Sequence, residues 1–398
     1  MPVPSPFHER TFPLCETLNY RDWAGYYAVS AYEAHHEHEY NAIRNSAALI
    51  DVSPLYKYIV SGPDATRLVD HVITRDMKKV TPGQVLYTPW CDEHGKTIDD
   101  GTVTRLEEER YRWTAADPSL RWFRENARGL DVTIEDVSEQ VAALAIQGPL
   151  SGALVSEVVE GEVAGLKYFR VTSGSIAGVR VDVSRTGYTG DLGYEVWMPA
   201  ERATRVWDVL VAAGRKYGAR PAGMLALDMA RIEAGLLLID VDFFSCRKAL
   251  IDSQKYTPLE MGLGRLVQLD KARFVGQEAL RRERARGPRR QIAGLELDWQ
   301  TYESLHNRVG LAPQVPAAAS RVAVPVYARG VQVGRATSTT WSPVLKKLIA
   351  LATLASHAAS PGSLVEVEVT VDAVRERVPA AVVKTPFFNP PRKTAPIS

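Results

Sequence analysis

Apolar positions along this chain recur sometimes every second residue and sometimes every third or fourth, and the changes of period mark out strands and helices. Tyr56, Tyr58 and Val60 alternate with Lys57 and Ile59, after which Gly62-Pro63-Asp64 ends the strand and caps a helix carrying Leu68, Val69, Val72 and Ile73. Val85 to Cys91 and Gly101 to Ala116 flank the turn Asp92-Glu93-His94-Gly95-Lys96, where glycine supplies the positive φ of a hairpin. Glu107-Glu108-Glu109 before Tyr111-Arg112-Trp113-Thr114 predicts a second hairpin. Val179, Val181 and Val183 share one face of a half-buried strand; in the next strand Tyr194, Val196 and Met198 lie on one face, Glu195 and Trp197 on the other. Two helices follow, one carrying Val206, Leu210 and Ala213, the other Leu225, Met229, Ile232 and Leu236. The basic run Arg281 to Arg290, interrupted by Gly287-Pro288, reads as a solvated linker at a domain boundary. Beyond it Val322 to Tyr327, Val331 to Thr337 and Val365 to Val371 read as strands of a smaller β domain, and the tail Asn389-Pro390-Pro391-Arg392-Lys393 as extended and exposed. The pattern defines an α+β class with mostly antiparallel pairing.

A chain of 398 residues outgrows a single hydrophobic core, so two or three domains are expected. With 48 Lys+Arg against 47 Asp+Glu, there is no global field to draw in a polyanion or an acidic membrane; the basic run lacks interleaved aromatics, and no nucleic-acid partner is expected. No apolar run of about 18 residues occurs, and the N-terminal segment lacks a basic patch followed by an apolar core, so neither membrane insertion nor export is indicated. Cys15, Cys91 and Cys246 are too scattered for a CxxC site and suit a reducing cytoplasm. His35-His36-Glu37-His38 has spacing for a divalent cation but no accompanying ligand set; it reads as a solvated helix face, and no metal is expected. A P-loop, a dinucleotide-binding glycine fingerprint and a nucleophile elbow are all missing, which sets aside the commoner nucleotide and hydrolase readings.

The most informative segment is Arg185-Thr186-Gly187-Tyr188-Thr189-Gly190, followed by Gly193-Tyr194-Glu195. Two glycines around an aromatic allow close backbone approach, so Tyr188 could lie against a flat ring while Glu195 reaches the ring edge. A carboxylate matches the paired N–H donors of a pterin, with charge-assisted bonds of about 1.5–3 kcal/mol each. On spacing alone, the segment reads first as an ordinary hairpin with an exposed tyrosine and a surface glutamate.

SRTGYTGDLGYE resembles the signature of the aminomethyltransferase (glycine-cleavage T-protein) family. Further segments agree in the same order: IDVS at 50–53, SGPDA at 61–65, DEHGKTIDD ending at Asp100, AIQGP at 145–149, RPAG at 220–223, RIEAGLLL at 231–238, FVGQEAL at 274–280, and GRATSTTWSP followed by IALA. The resemblance spans nearly the whole chain. It implies a three-domain cloverleaf with antiparallel sheets around a central folate pocket and a small C-terminal β-barrel. The implied lobes are residues 1–50 with 138–245, 51–137 with 246–282, and 291–398. It also implies a tetrahydrofolate-dependent transferase moving a methylene or methyl group from a small-molecule donor to N5 of tetrahydrofolate.

In that family Asp100 would sit beside the reacting nitrogens as the catalytic carboxylate, with Tyr87, Tyr188, Glu195, Thr114 and Arg231 around the cofactor. Arg231 and Glu233, two apart on a helix, read equally well as ion-pairing residues flanking the core. Thr114 stands where T-proteins commonly carry Asn, and Leu227 replaces the Arg of an Ala-Arg-Asp segment. Ser53-Pro54-Leu55-Tyr56 departs from SHMG, and Ser245 to Gln254 is an extra stretch. Thr114-Ala115-Ala116-Asp117 looks more like the tetrahydrofolate-dependent demethylases of the superfamily, so a methylated amine, sulfonium or ether is an alternative donor to an aminomethyl-lipoyl carrier protein. A non-catalytic folate-binding assembly or regulatory protein is a second alternative.

Overall fold

The computed structural model describes residues 1–396. One sheet has six strands in the order Val171–Ile176, Val179–Ser184, Gly193–Pro199, Val141–Gln147, Ala48–Asp51 and Arg220–Pro221, antiparallel except for the last pair. Alternation gives each face its own job. Leu144, Ile146, Val181, Val183, Tyr194, Val196 and Met198 pack outward, in one core with the helices Ser151–Val158 and Ala203–Gly214. The opposite face, with Ala48, Ile50, Ala143, Ala145 and Trp197, packs against the helices Glu37–Asn45 and Met224–Glu233. Burying each large apolar side chain is worth roughly 1.5–3 kcal/mol.

A second sheet of five antiparallel strands runs Gln84–Cys91, Thr97–Glu107, Arg110–Ala115, Tyr56–Ser61 and Thr133–Asp136. Tyr58, Val60, Trp90, Val103 and Trp113 form its core with the helices Ala65–Val72 and Leu120–Asn126, and Trp113 stacks on Phe123 at 4.0 Å between ring centroids. The third unit is a closed six-stranded barrel: Arg290–Leu297, Lys347–Ala355, Val331–Ser342, Val324–Ala328, Leu364–Val371 and Val374–Val383, which returns to pair with the first. The α+β class, the antiparallel sheets and the C-terminal barrel expected from the sequence are all present.

Four local expectations need correction. Asp64 stands at the helix N-cap, yet its carboxylate accepts from the Asp131 N–H at 2.9 Å instead of capping the helix. The basic run is no linker: Gln277–Arg286 is a helix ended by Gly287, because Arg281 and Arg284 donate to the carbonyls of Leu269, Gly264 and Val267, and Glu283 is buried. His36 turns inward, its Nε2 3.2 Å from Met229 Sδ, so the histidine run is not a uniformly solvated face.

The tail is exposed at Asn389, Pro391 and Arg392 as expected, but it is not extended throughout, since Pro391–Lys393 forms a turn of 3-10 helix, and it is docked. Phe388 N–H donates to Glu233 O at 2.8 Å, Arg392 grips the buried Asp191 at 2.6 and 2.8 Å, and Arg185 donates to the carbonyls of Arg392, Lys393 and Ala395. Two adjacent prolines remove backbone donors from the segment, but its carbonyls remain strong acceptors for a buried guanidinium.

Candidate active site

The second sheet turns a polar face away from its aromatic core, and period two decides which residues share it. Asp100, Thr102 and Thr104 alternate with Asp99 and Val103 along one strand; across the ladder Tyr87 stands opposite Thr102, Arg112 opposite Thr104, and Lys57 opposite Thr114. Tyr87 donates its hydroxyl to Asp100 Oδ2 at 2.5 Å, and Thr114 Oγ1 lies 2.6 Å from Thr102 Oγ1. Asp99 points the other way: its carboxylate accepts from the backbone N–H groups of Asp100, Ala116 and Asp117 at 2.8, 3.0 and 2.9 Å, pinning the loop that follows Thr114. The adjacent acids thus divide the work, one buried in backbone donors and one facing out of the sheet. At Gly101 an added Cβ would fall 2.0 Å from the Thr114 carbonyl, so only glycine allows the two strands to approach this closely.

Glu195 comes from the inward face of the six-stranded sheet, two residues before Trp197. Its Oε2 accepts from the Thr186 hydroxyl at 2.6 Å. Arg112 joins the two faces: it reaches from the second sheet to donate to Asp182 Oδ2 at 2.8 Å and lays its guanidinium 4.3 Å from the Trp197 ring centroid. The faces bearing Asp100 and Glu195 are therefore apposed. Tyr188 packs against the apolar cluster that includes Trp197 and Leu227 and donates its hydroxyl to the Leu237 carbonyl.

Burial raises the Asp100 carboxyl to about 6, against the pull of the Tyr87 hydroxyl bond. Burial, then the neighbouring Asp100 charge, pushes the Asp99 carboxyl up, while its backbone donors act in the opposite direction. The Tyr87 phenol is pushed well up by burial and then by Asp100; Tyr188 is raised by burial, with Asp100 adding to the rise and Arg231 opposing it. Glu195 is raised by burial and pulled down by the Thr186 hydroxyl and the charge of Arg112. Asp99 is fully buried, whereas Tyr87, Asp100, Tyr188 and Glu195 lie deep yet remain partly accessible, as groups lining an interior site do.

Tyr87 is hydrogen-bonded to Asp100, and the Asp100 charge reaches Tyr188; Glu195 stands on the facing sheet, and Thr114 is spent on Thr102. Arg231 is fully buried, donating to Asp242 Oδ2 at 2.5 Å and to Ser338 Oγ at 2.7 Å. Arg112 and Thr186 were not singled out by the sequence reading. Arg112 had a signal, a cation two residues from Thr114 inside a strand; Thr186 had only its place in the glycine turn. Two surface clefts, of about 680 Å³ beside Arg121 and about 430 Å³ beside Arg335, are bordered by none of the expected site residues. Among the described residues no His, Cys, Asp or Glu cluster is arranged to hold a metal ion, and no helix is long and apolar enough to cross a membrane.

Comparison with known proteins places this arrangement. Residues 15–271 match the GCVT N-terminal domain, and residues 307–389 the glycine cleavage T-protein C-terminal barrel domain. An aminomethyltransferase from Moorella thermoacetica is 36% identical over 360 residues, covering 89% of this chain and 90% of that one. One from Bacillus pumilus is 33% identical over 380 residues, covering 94% and 95%. The trimethylamine-oxide aldolase of Ruegeria pomeroyi is 35% identical over 406 residues, covering 98% of this chain; the chain spans 48% of that protein's length. The crystal structure of glycine cleavage system aminomethyltransferase T from Bartonella henselae superposes with a TM-score of 0.82 at 22% identity, covering 98% and 99%, and shows the fold to be shared.

On its kinship with aminomethyltransferases, this is an enzyme that transfers one-carbon groups. The chain belongs to the aminomethyltransferase family, the glycine cleavage T-proteins, whose members use tetrahydrofolate.

Proposed function

We propose that the protein transfers a methyl or methylene group from a small donor to N5 of tetrahydrofolate, and that Asp100 is the carboxylate at the reacting nitrogen. The observation that carries this reading is a carboxylate on each of the two facing sheets, Asp100 and Glu195, each with one oxygen held by a hydroxyl. Such a set fits a flat reduced pterin: Glu195 offers an acceptor to its N–H edge, and Tyr87 and Tyr188 offer ring faces. Bound tetrahydrofolate supplies N5 as the one-carbon acceptor. Asp100, ionised above about pH 6, favours positive charge developing beside it, and Tyr87 holds one of its oxygens. Arg231 holds the helix bearing Leu227 and Asp228 against the barrel, so its part in cofactor binding is through position.

A second reading, direct demethylation of a methylated amine, sulfonium or ether, is favoured by the Asp99-pinned segment Thr114 to Asp117 and by the kinship with the trimethylamine-oxide aldolase. Under the aminomethyl reading the partner is a lipoyl carrier protein; under demethylation none is needed. Either chemistry suits a cytoplasmic enzyme. Saturating tetrahydrofolate should raise the melting temperature, by about 2.7 kcal/mol of stabilisation at a hundred times Kd. Asp100→Asn should retain that shift and lose at least tenfold in turnover. Wild-type protein that shows no shift would remove the folate reading, and full turnover in the variant would remove Asp100. The product, 5-methyl- or 5,10-methylene-tetrahydrofolate, separates the two donors.

A further inference from the structure

Arg21, on the strand Asn19–Trp23, and Arg321, just before the barrel strand Val324–Ala328, come from opposite ends of the chain to the same carboxylate. Arg21 Nη1 lies 3.3 Å and Arg321 Nη2 2.6 Å from Asp228 Oδ2, and Arg321 Nε donates to that oxygen at 2.9 Å. The other Asp228 oxygen faces Arg231 Nε at 3.6 Å, while Arg231 also binds Asp242. Three guanidiniums thus share two carboxylates. Positive charge is in excess, and the two arginines nearest the surface carry it: their side chains are 24% and 38% exposed, against 6% for Asp228. The Arg21 guanidinium is driven down by burial and then by the charge of Arg321. Among the described residues, Arg21 Nη2 and Arg321 Nη1 have no protein acceptor.

The pair sits beside the site already described. Trp23, two residues after Arg21, and Ala319, two before Arg321, pack against the same apolar cluster as Tyr188, the cluster to which Leu227, next to Asp228, belongs. Burial raises the Tyr188 phenol, and the charges of Asp100 and Asp228 both add to the rise, so Tyr188 is within electrostatic reach of both the Asp100 carboxylate and the anchor of the arginine pair. Two planar donors with a shared anchor and unused N–H edges match the geometry of a carboxylate.

We propose that Arg21 and Arg321 form a carboxylate-binding subsite at the rim of the active site, pre-oriented by Asp228. The inference rests on the tetrahydrofolate reading for the identity of its ligand: the carboxylate is that of the one-carbon donor or that of the cofactor's glutamate.

The test compares the wild type with Arg21→Gln/Arg321→Gln, with Arg321→Lys as the charge-conserving control and melting temperature as the check on folding. One arm measures Kd for tetrahydrofolate against tetrahydropteroate, which lacks the glutamate. The other measures KM for N,N-dimethylglycine against trimethylamine. A rise of tenfold or more confined to the carboxylated member of either pair, and smaller in Arg321→Lys, supports the subsite and names its source. Equal changes within both pairs, or no change, overturn it. If the wild type binds no folate, the function proposed above fails separately, and NMR titration with glutarate then decides: binding that the double variant loses supports the subsite, and none to the wild type overturns it.

Discussion

Asp99 and Asp100 differ by one residue and by everything around them. Three backbone N–H groups occupy Asp99, whereas Asp100 has a tyrosine hydroxyl on one oxygen. A carboxyl raised to about 6 in the folded chain holds a proton that an unfolded chain, with a value of about 3.9, has released, so ionising Asp100 costs folding free energy as pH climbs through 6. Relative to the wild type, Asp100→Asn should therefore gain stability between pH 4 and pH 8, by up to about 3 kcal/mol. Urea unfolding at both pH values reads this; the same difference at each would mean that Asp100 titrates normally. Turnover should fall as pH drops below 6, because the carboxylate that favours developing positive charge is then protonated. At this scale the glycine turn raised Tyr188 and Glu195 as candidates that spacing alone left as an ordinary hairpin, and Asp100 and Tyr87 were named through the family resemblance. Spacing could not say that Arg112 crosses between sheets, since that contact joins residues 70 apart in the chain.

At the scale of elements, the acidic hairpin depends on a strand crossing that admits no side chain. Gly101→Ala would place a methyl 2.0 Å from the Thr114 carbonyl, forcing the strands Thr97–Glu107 and Arg110–Ala115 apart. We expect a loss of about 3 kcal/mol or more in urea denaturation, at the upper end for overpacking, together with lost folate binding because Asp100 and Thr114 move. A variant of wild-type stability would show that the crossing is looser than described. The hairpins were legible because alternation and turn chemistry act locally: the pattern around Tyr56, Val85, Val179 and Tyr194 gave strands within a residue or two. The helix Gln277–Arg286 was not, since its arginines look solvated until the carbonyls of 264–269 are in place to accept from them. The strand Lys347–Ala355, apolar on both faces inside the barrel, offers no alternation to read.

Across the whole molecule, the barrel is joined to the rest through a buried polar knot. Arg231 on the helix Met224–Glu233 binds Asp242 and Ser338, and Thr337 and Ser338 donate to the same aspartate at 2.6 and 2.7 Å. Arg231→Met would leave Asp242 buried without its cation, and we expect a loss of about 3–5 kcal/mol. Because the knot spans two units, calorimetry should also resolve separate transitions in the variant; a single unshifted transition would mean that the barrel is held by other contacts. The overall three-unit architecture was legible in the order of motifs, but the docking of residues 385–395 was not, because a proline-rich stretch carries no period. That docking has a consequence for how the enzyme is made. The brace on the glycine turn, Arg392 against Asp191, lies 201 positions downstream of the loop it steadies. During synthesis the loop carrying Tyr188 is first held by contacts within its own part of the chain, among them Arg44 to the Thr189 carbonyl and Tyr188 to the Leu237 carbonyl, so a ribosome stalled inside the barrel yields a glycine turn that still lacks its last brace.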